Sequence, residues 1–384
     1  MKKTMQIPFN RLALSGAEFE NMAKAVESGA IQGDGKFTRL CEGKIRKISK
    51  ADTALLVNSG TAALDMAAIL SGVGPGDEVI VPTYTFVSTV NAFVLRGAKP
   101  VFCDVHPGTL NIDEAKIEEL ITPKTKVIVP VHYAGVSCEM DSILEIAKRH
   151  GLLVVEDAAQ GFNAYYRGRH LGTIGDLGAL SFHGSKNVVC GEGGALLVGN
   201  GAFRSRAFYV REKGTNRVDF VEGKIDKYTW VDIGSSYIPS ELVAAFLSAQ
   251  LDSAEDLTRP RVRAWNRYFE RLNPLQERGF IFLPEVPSHC VHNAHIFFIR
   301  AQSGEAAKAL LAYLAGRGVS AVQHYAPLHV CPMAERLGCG RRSLPVAENA
   351  AKCMLRMPIF ASITDDEVDY VCDCVEEFYA GKHA

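Results

Sequence analysis

Short apolar runs recur along the first two hundred residues, and each ends in small or polar residues. Seven of them show no inside–outside alternation: Thr53-Ala54-Leu55-Leu56-Val57, Asp77-Glu78-Val79-Ile80-Val81, Pro100-Val101-Phe102-Cys103-Asp104, Val127-Ile128-Val129-Pro130-Val131, Gly151-Leu152-Leu153-Val154-Val155, Leu177-Gly178-Ala179-Leu180 and Ala195-Leu196-Leu197-Val198. Continuous runs of this length read as strands buried on both faces. Helical stretches fall between them, at 62–70, 91–96 and 140–150. Alternation of strand and helix from 53 to 200 predicts an α/β fold with a parallel, helix-covered sheet. Right-handed crossovers then gather the loops that follow the strands on one edge.

The flanks read differently. A helix at 16–28 and a Gly33-Asp34-Gly35 turn precede the first strand. After residue 200 the alternation stops. A long helix begins near Pro239-Ser240-Glu241, and an arginine-rich helix at 257–271 links to an α+β region. That region is expected to hold strands at 295–299 and 319–324, a helix at 305–315 and a closing helix. Thr364-Asp365-Asp366-Glu367 has capping-box spacing, and Val368, Val371, Cys372, Val375 and Phe378 share one apolar face. The division expected is a large unit at 1–255 and a smaller α+β unit at 256–384.

Composition narrows the partners. At 384 residues the chain has room for two such units. Formal net charge is −1, from 42 basic and 43 acidic side chains, so there is no basic surplus for nucleic acid, and an anionic ligand needs a local pocket. Ten cysteines contain no C-x-x-C pair, and no metal-ligand spacing stands out. The start lacks an apolar leader and no run is long enough to span a membrane, which predicts a cytoplasmic protein with reduced thiols.

The chemistry sits where the runs end. One run closes on Glu156-Asp157-Ala158-Ala159-Gln160 and another on Ser181-Phe182-His183-Gly184-Ser185-Lys186. In open α/β sheets ligands bind beyond the carboxyl ends of strands, so Asp157 and Lys186 point at one crevice. A lysine amine and a carboxylate so placed suit pyridoxal phosphate: the amine condenses with the aldehyde, and the carboxylate keeps the pyridinium nitrogen protonated. Taken singly, the aspartate also reads as a helix cap and the lysine as a solvated charge. The Gly191-Glu192-Gly193-Gly194 turn, which folds the lysine loop back into the sheet, strengthens the pair. So does Asn58-Ser59-Gly60-Thr61, a small-residue turn between strand and helix that suits a phosphate and equally suits a plain N-cap. Phe86, in Pro82-Thr83-Tyr84-Thr85-Phe86, is placed to stack on a flat ring or to serve as core.

Together these motifs, with Asn187 after the lysine, resemble the DegT/DnrJ/EryC1/StrS sugar aminotransferases, pyridoxal-phosphate enzymes of fold type I, which implies a mostly parallel seven-stranded sheet with helices on both faces; the resemblance covers nearly the whole chain. It implies that Lys186 is the catalytic lysine, that Asp157 pairs with the ring nitrogen, that Phe86 stacks and that Gln160 reaches the ring hydroxyl. It also implies that Ser59, Gly60, Thr61 and Ser181 hold the phosphate. Ser236 stands where many relatives have an asparagine that reaches the phosphate from a neighbouring subunit. Tyr325 and His329, in His324-Tyr325-Ala326-Pro327-Leu328-His329, match the substrate side. A homodimer with shared sites is expected. The segments at 33–39, 85–98, 130–141, 211–217 and 226–237 resemble the branch that moves an amino group from L-glutamate to C4 of dTDP-4-dehydro-6-deoxy-D-glucose with galacto outcome. Sister transaminases (gluco epimer, C3 amination, UDP- or GDP-sugar) remain alternatives. Dehydratases of the family carry histidine where Lys186 stands, and a non-enzymatic relative would not need Lys186, Asp157 and Gln160 together.

Overall fold

The computed structural model describes residues 5–340 and 342–381. β1 (Thr53–Val57), β2 (Glu78–Pro82), β3 (Lys99–Cys103), β4 (Thr125–Ile128) and β5 (Leu153–Asp157) come first. A small ribbon of β6 (Tyr165–Tyr166) and β7 (Arg169–His170) follows, then β8 (Leu177–Ser181) and β9 (Gly194–Val198). The seven-stranded sheet has the order β1-β9-β8-β5-β4-β2-β3. Its pairs are parallel except the two made by β9, which runs antiparallel to β1 and β8. Because β9 begins where its neighbours end, Gly194 pairs with Val57 on one side and Ser181 on the other.

The absence of alternation has a direct cause. Along β1, Ala54 and Leu56 enter one core while Leu55 and Val57 enter the other, and β9 divides the same way. Both faces of these two strands are packed, so their consecutive interior positions are apolar. Helices Lys36–Ser49, Met140–His150 and Glu241–Asp252 cover the first face; Gly60–Leu70, Ser88–Val94 and Arg204–Arg211 cover the second.

Beyond the long helix Ala254–Glu277, β10 (Ile281–Phe282), β12 (Phe297–Ala301) and β13 (Met354–Met357) make an antiparallel sheet, while β11 (Cys290–Val291) joins the β6 ribbon. Trp265, Tyr268, Phe297, Leu310 and Val371 build the core here, and Ile7 belongs to it although it lies in the region expected for the larger unit. The expected strand at 319–324 is reduced to isolated bridges, Ile7 to Val319 and Val322 to Arg356. Helix Lys36–Ser49 and strand β13 were not foreseen. The closing helix starts as its spacing indicated: Thr364 N donates to Glu367 Oε2 at 2.9 Å and Glu367 N to Thr364 Oγ1 at 3.1 Å.

Glu156, next to Asp157, ties this scaffold together. Its carboxylate accepts from the backbone N–H groups of Gly172, Ile174 and Gly175 and meets His132 Nε2 at 2.8 Å, with Glu156 and His132 both fully buried. Burial pushes its carboxyl up, but the hydrogen bonds from His132, Gly175 and Gly172 prevail and hold it below 4.5. Glu156→Ala should destabilise the fold by roughly 3–5 kcal/mol, because the donors stay buried without an acceptor. A depressed folded pKa adds stability above the unfolded value that is lost as pH falls through the folded one. The gap between variant and wild-type urea midpoints should therefore be full at neutral pH and shrink below pH 4.5.

Candidate active site

β1, β2, β5 and β8 run the same way, so their carboxyl ends open on one edge. At the end of β1, Ser59 caps the helix Gly60–Leu70, its Oγ accepting from Ala62 N at 3.0 Å. Two glycines let three segments close on that helix end. A Cβ on Gly60 would stand 2.8 Å from Ser181 Cβ, and one on Gly194 would stand 2.5 Å from the carbonyl carbon of Ser59. The cup so formed brings together Ser59, Thr61 and Ser181, with Thr61 Oγ1 2.8 Å from Ser88 Oγ. Such a helix end with free N–H groups suits a phosphate.

Asp157 closes β5 and is 5% exposed. Thr89 Oγ1 donates to its Oδ2 at 2.6 Å and Ala159 N to its Oδ1 at 3.1 Å, while the Thr85 hydroxyl lies 2.8 Å from that of Thr89. Among the described residues no ion pair engages this carboxylate. A buried carboxylate without a cation suits a protonated ring nitrogen.

Lys186 lies five residues past the end of β8, on a loop closed by Cys190 N to Phe182 O and Gly184 N to Gly191 O, each 2.8 Å. Burial pushes its amine down to about 8, with Asp157 pulling it up and Arg356 pulling it further down. The amine is thus poised to lose and regain a proton near neutral pH. Cys190, four residues on, is buried and its thiol is pushed up to about 12, so it is inert bulk in the loop.

The side walls are aromatic. Phe86 is 55% exposed and its ring lies 6.1 Å from that of Tyr325. Gln160 Oε1 accepts from Ala134 N at 2.7 Å, which leaves its amide N–H groups facing Tyr325 Oη at 3.4 Å. Tyr325 therefore stands in the crevice with Phe86 and Gln160. His329 does not: it is 2% exposed, Thr83 Oγ1 lies 2.7 Å from its Nδ1, and Glu348 lies 3.2 Å from its Nε2. With both ring nitrogens taken, it fastens Glu348 to Thr83, the residue before Tyr84. Ser236 is exposed, and its carbonyl accepts from Asn58 Nδ2 of the same chain at 3.2 Å, beside the cup.

Several residues at the site escaped the sequence reading. Thr89 orients Asp157. Asn187 joins the lysine loop to the segment before β12, donating to Asn293 O and meeting His295 Nδ1 at 3.0 Å. Asn10 donates to Gly184 O at 3.3 Å, and Phe9 lies over Arg356. The Thr85–Thr89 spacing of one helical turn, and an arginine inside the apolar run Met354-Leu355-Arg356-Met357, were the available signals.

The cup, the unpaired carboxylate and the lysine of lowered pKa fit pyridoxal phosphate, which supplies an aldehyde to carry an amino group and a ring to delocalise electrons. Gly60→Ala tests the cup. The added methyl has to displace the Ser181 side chain, so the cofactor dissociation constant of the folded variant should rise about tenfold in equilibrium titration.

The architecture and this site define a pyridoxal-phosphate-dependent aminotransferase. Residues 13–376 match the DegT/DnrJ/EryC1/StrS aminotransferase family, and the chain belongs to it. It is 30% identical over 378 residues to GDP-perosamine synthase of Escherichia coli O157:H7, covering 98% of this chain and 99% of that one. It is 34% identical over 347 residues to a pleiotropic regulatory protein of Geobacillus stearothermophilus, covering 90% of each. Among solved structures it is similar to DesV of S. venezuelae in complex with a ketimine intermediate, with TM-score 0.90, 32% identity and coverage of 98% of this chain and 99% of that one. The protein is a sugar aminotransferase that uses pyridoxal phosphate. Among the described residues no helix is long and apolar enough to cross a membrane.

Proposed function

We propose that the protein is a dTDP-4-amino-4,6-dideoxygalactose transaminase, moving the amino group of L-glutamate to C4 of dTDP-4-dehydro-6-deoxy-D-glucose and releasing 2-oxoglutarate. The observation that carries the chemistry is Lys186, its amine lowered to about 8, across the crevice from the buried carboxylate of Asp157. In this reading the free amine of Lys186 would shuttle a proton between the reacting substrate carbon and C4′ of the cofactor in each half-reaction. Asp157 keeps its charge toward the ring nitrogen. Phe86 covers the ring, Gln160 turns its amide N–H toward the ring hydroxyl, and Ser59, Gly60, Thr61 and Ser181 receive the phosphate. Tyr325 faces the substrate, and His329 supports that wall from behind.

The narrower substrate assignment draws on the branch-like segments. Two of them, around Asp34 and around Arg211–Arg217, are 177 residues apart in sequence yet joined by Asp34, 3.3 Å from both Arg211 and Arg217, while Arg211 also pairs with Glu42. A homodimer belongs to the same reading. Leu95 and Trp230 are 75% and 77% exposed, and Val87, Val231 and Ile233 are exposed as well, which leaves apolar side chains for a second copy to cover. A second copy seated there would bring its Ser236 segment toward the cup.

The names of GDP-perosamine synthases among the relatives favour a second reading, amination of a GDP-bound 4-keto sugar. A comparison of kcat/KM on the dTDP- and GDP-linked 4-keto-6-deoxy sugars separates the two. Preference for the dTDP substrate supports the first reading, and preference for the GDP substrate replaces it with the second.

A further inference from the structure

Asn293 lies in the segment before β12 and is 1% exposed. Its Nδ2 donates to Gln160 O at 2.8 Å and to Phe162 O at 2.7 Å, and its Oδ1 accepts from His295 N at 3.0 Å. Its own carbonyl accepts from Asn187 Nδ2 at 2.8 Å. One buried residue thus holds the chain at Gln160 and also holds the residue that follows Lys186. Both holds are braced. Toward Gln160, a Cβ on Gly135 would run into Asn293 Oδ1, and the N–H of the preceding Ala134 fixes Gln160 Oε1 at 2.7 Å. Toward Lys186, Asn187 Oδ1 meets His295 Nδ1 at 3.0 Å. Burial, with the positive charge of Lys186 next in weight, keeps that imidazole neutral. Asn187 has spent its amide N–H on Asn293, so its oxygen accepts from the imidazole, and the ring of Asn187, Asn293 and His295 closes.

We infer that Asn293 is a positioning residue that keeps the Gln160 amide and the Lys186 amine in register with each other. The inference rests on the roles proposed above for those two side chains. On pyridoxal phosphate the ring hydroxyl and the aldehyde sit on neighbouring carbons. A group that meets the hydroxyl and an amine that meets the aldehyde therefore need a fixed separation, and small errors in it are costly. Gln160 and Lys186 follow different strands, three residues past the end of β5 and five past the end of β8. Strand pairing does not reach that far into the loops. The rings of Phe162 and Phe182, 5.4 Å apart and edge to face, press the two segments together but leave their direction open. Hydrogen bonds supply direction. Those of Asn293 are buried, so removing its side chain leaves the carbonyls of Gln160 and Phe162 without their donor.

The test compares wild type, Asn293→Ala, Gln160→Leu and the double variant. Without cofactor, hydrogen exchange of Asn293→Ala should be at least about tenfold faster than wild type at both 158–164 and 183–190. With cofactor, the pH midpoint of its visible absorbance should move by about half a unit or more, in the direction that Gln160→Leu moves it. Single turnover with L-glutamate should lose about tenfold in maximal rate, with KM within about threefold of wild type. Register needs both partners, so in the Gln160→Leu background Asn293→Ala should cost less than about threefold more. Should Asn293→Ala not fold, Asn293→Ser, which keeps one donor, decides by the same criteria with smaller changes. Fully additive losses, faster exchange at only one segment, or a midpoint unmoved where Gln160→Leu moves it would each overturn the inference. A midpoint unmoved by Gln160→Leu itself would instead take Gln160 away from the ring hydroxyl in the proposed function, and exchange at the two segments would still judge Asn293.

Discussion

Lys186→Gln should lower amino transfer by at least about 10³-fold while the protein stays folded and cofactor can still be added to it. The expectation follows from where the lysine stands. Its loop is pinned at three places that do not involve its side chain: Asn187 to Asn293 and His295, Gly184 to Asn10, and Cys190 to the Phe182 carbonyl. Removing the amine therefore removes a nucleophile and a proton carrier without removing a structural bond. Both half-reactions should fall together, because the same amine serves donor and sugar. Rapid mixing with L-glutamate, and separately with the aminated sugar, measures them. Retention of more than a tenth of the wild-type rate on either side would mean that another base acts.

Asp157→Asn should cost about 10²–10³-fold on both sides, a smaller effect with a different origin. The amide can keep the shape of the carboxylate and still accept from Thr89, whose hydroxyl is 2.6 Å away, but it carries no negative charge. Without that charge a protonated ring nitrogen in a buried site is no longer favoured. Thr89→Val should produce a milder form of the same defect, since it removes the hydroxyl that fixes the carboxylate and leaves the charge. An Asp157→Asn enzyme within about threefold of wild type in single turnover would show that the carboxylate is not needed at the ring.

How far the sequence carried this picture depends on the kind of information each feature needs. Strands buried on both faces announce themselves as continuous apolar runs, which is why all seven strands of the large sheet were legible from their residues. The helix Lys36–Ser49 was missed although Phe37, Cys41 and Ile45 recur every fourth residue, because three lysines and two arginines in the same helix mask the stripe. The strand β13 was missed because it is four residues long and follows a helix without a loop. At the site, Asp157 and Lys186 were legible because each ends an apolar run. The lock on His329 was not. Its partners are Thr83 and Glu348, and the first lies 246 residues away. Arg356 illustrates the same limit: an arginine in a short apolar run signals something unusual, but its contacts with His324 and the Phe9 ring appear only in the fold.

The central claim is that one amino group travels from an amino acid, across this crevice, to C4 of a nucleotide-linked keto sugar. The measurement that bears on it most directly is nitrogen transfer from ¹⁵N-labelled L-glutamate to dTDP-4-dehydro-6-deoxyglucose by the holoenzyme, followed by mass and NMR of the sugar. The expected product carries ¹⁵N on C4 in the galacto configuration. A sugar recovered without label, from an enzyme that converts L-glutamate to 2-oxoglutarate, would contradict the claim for this acceptor.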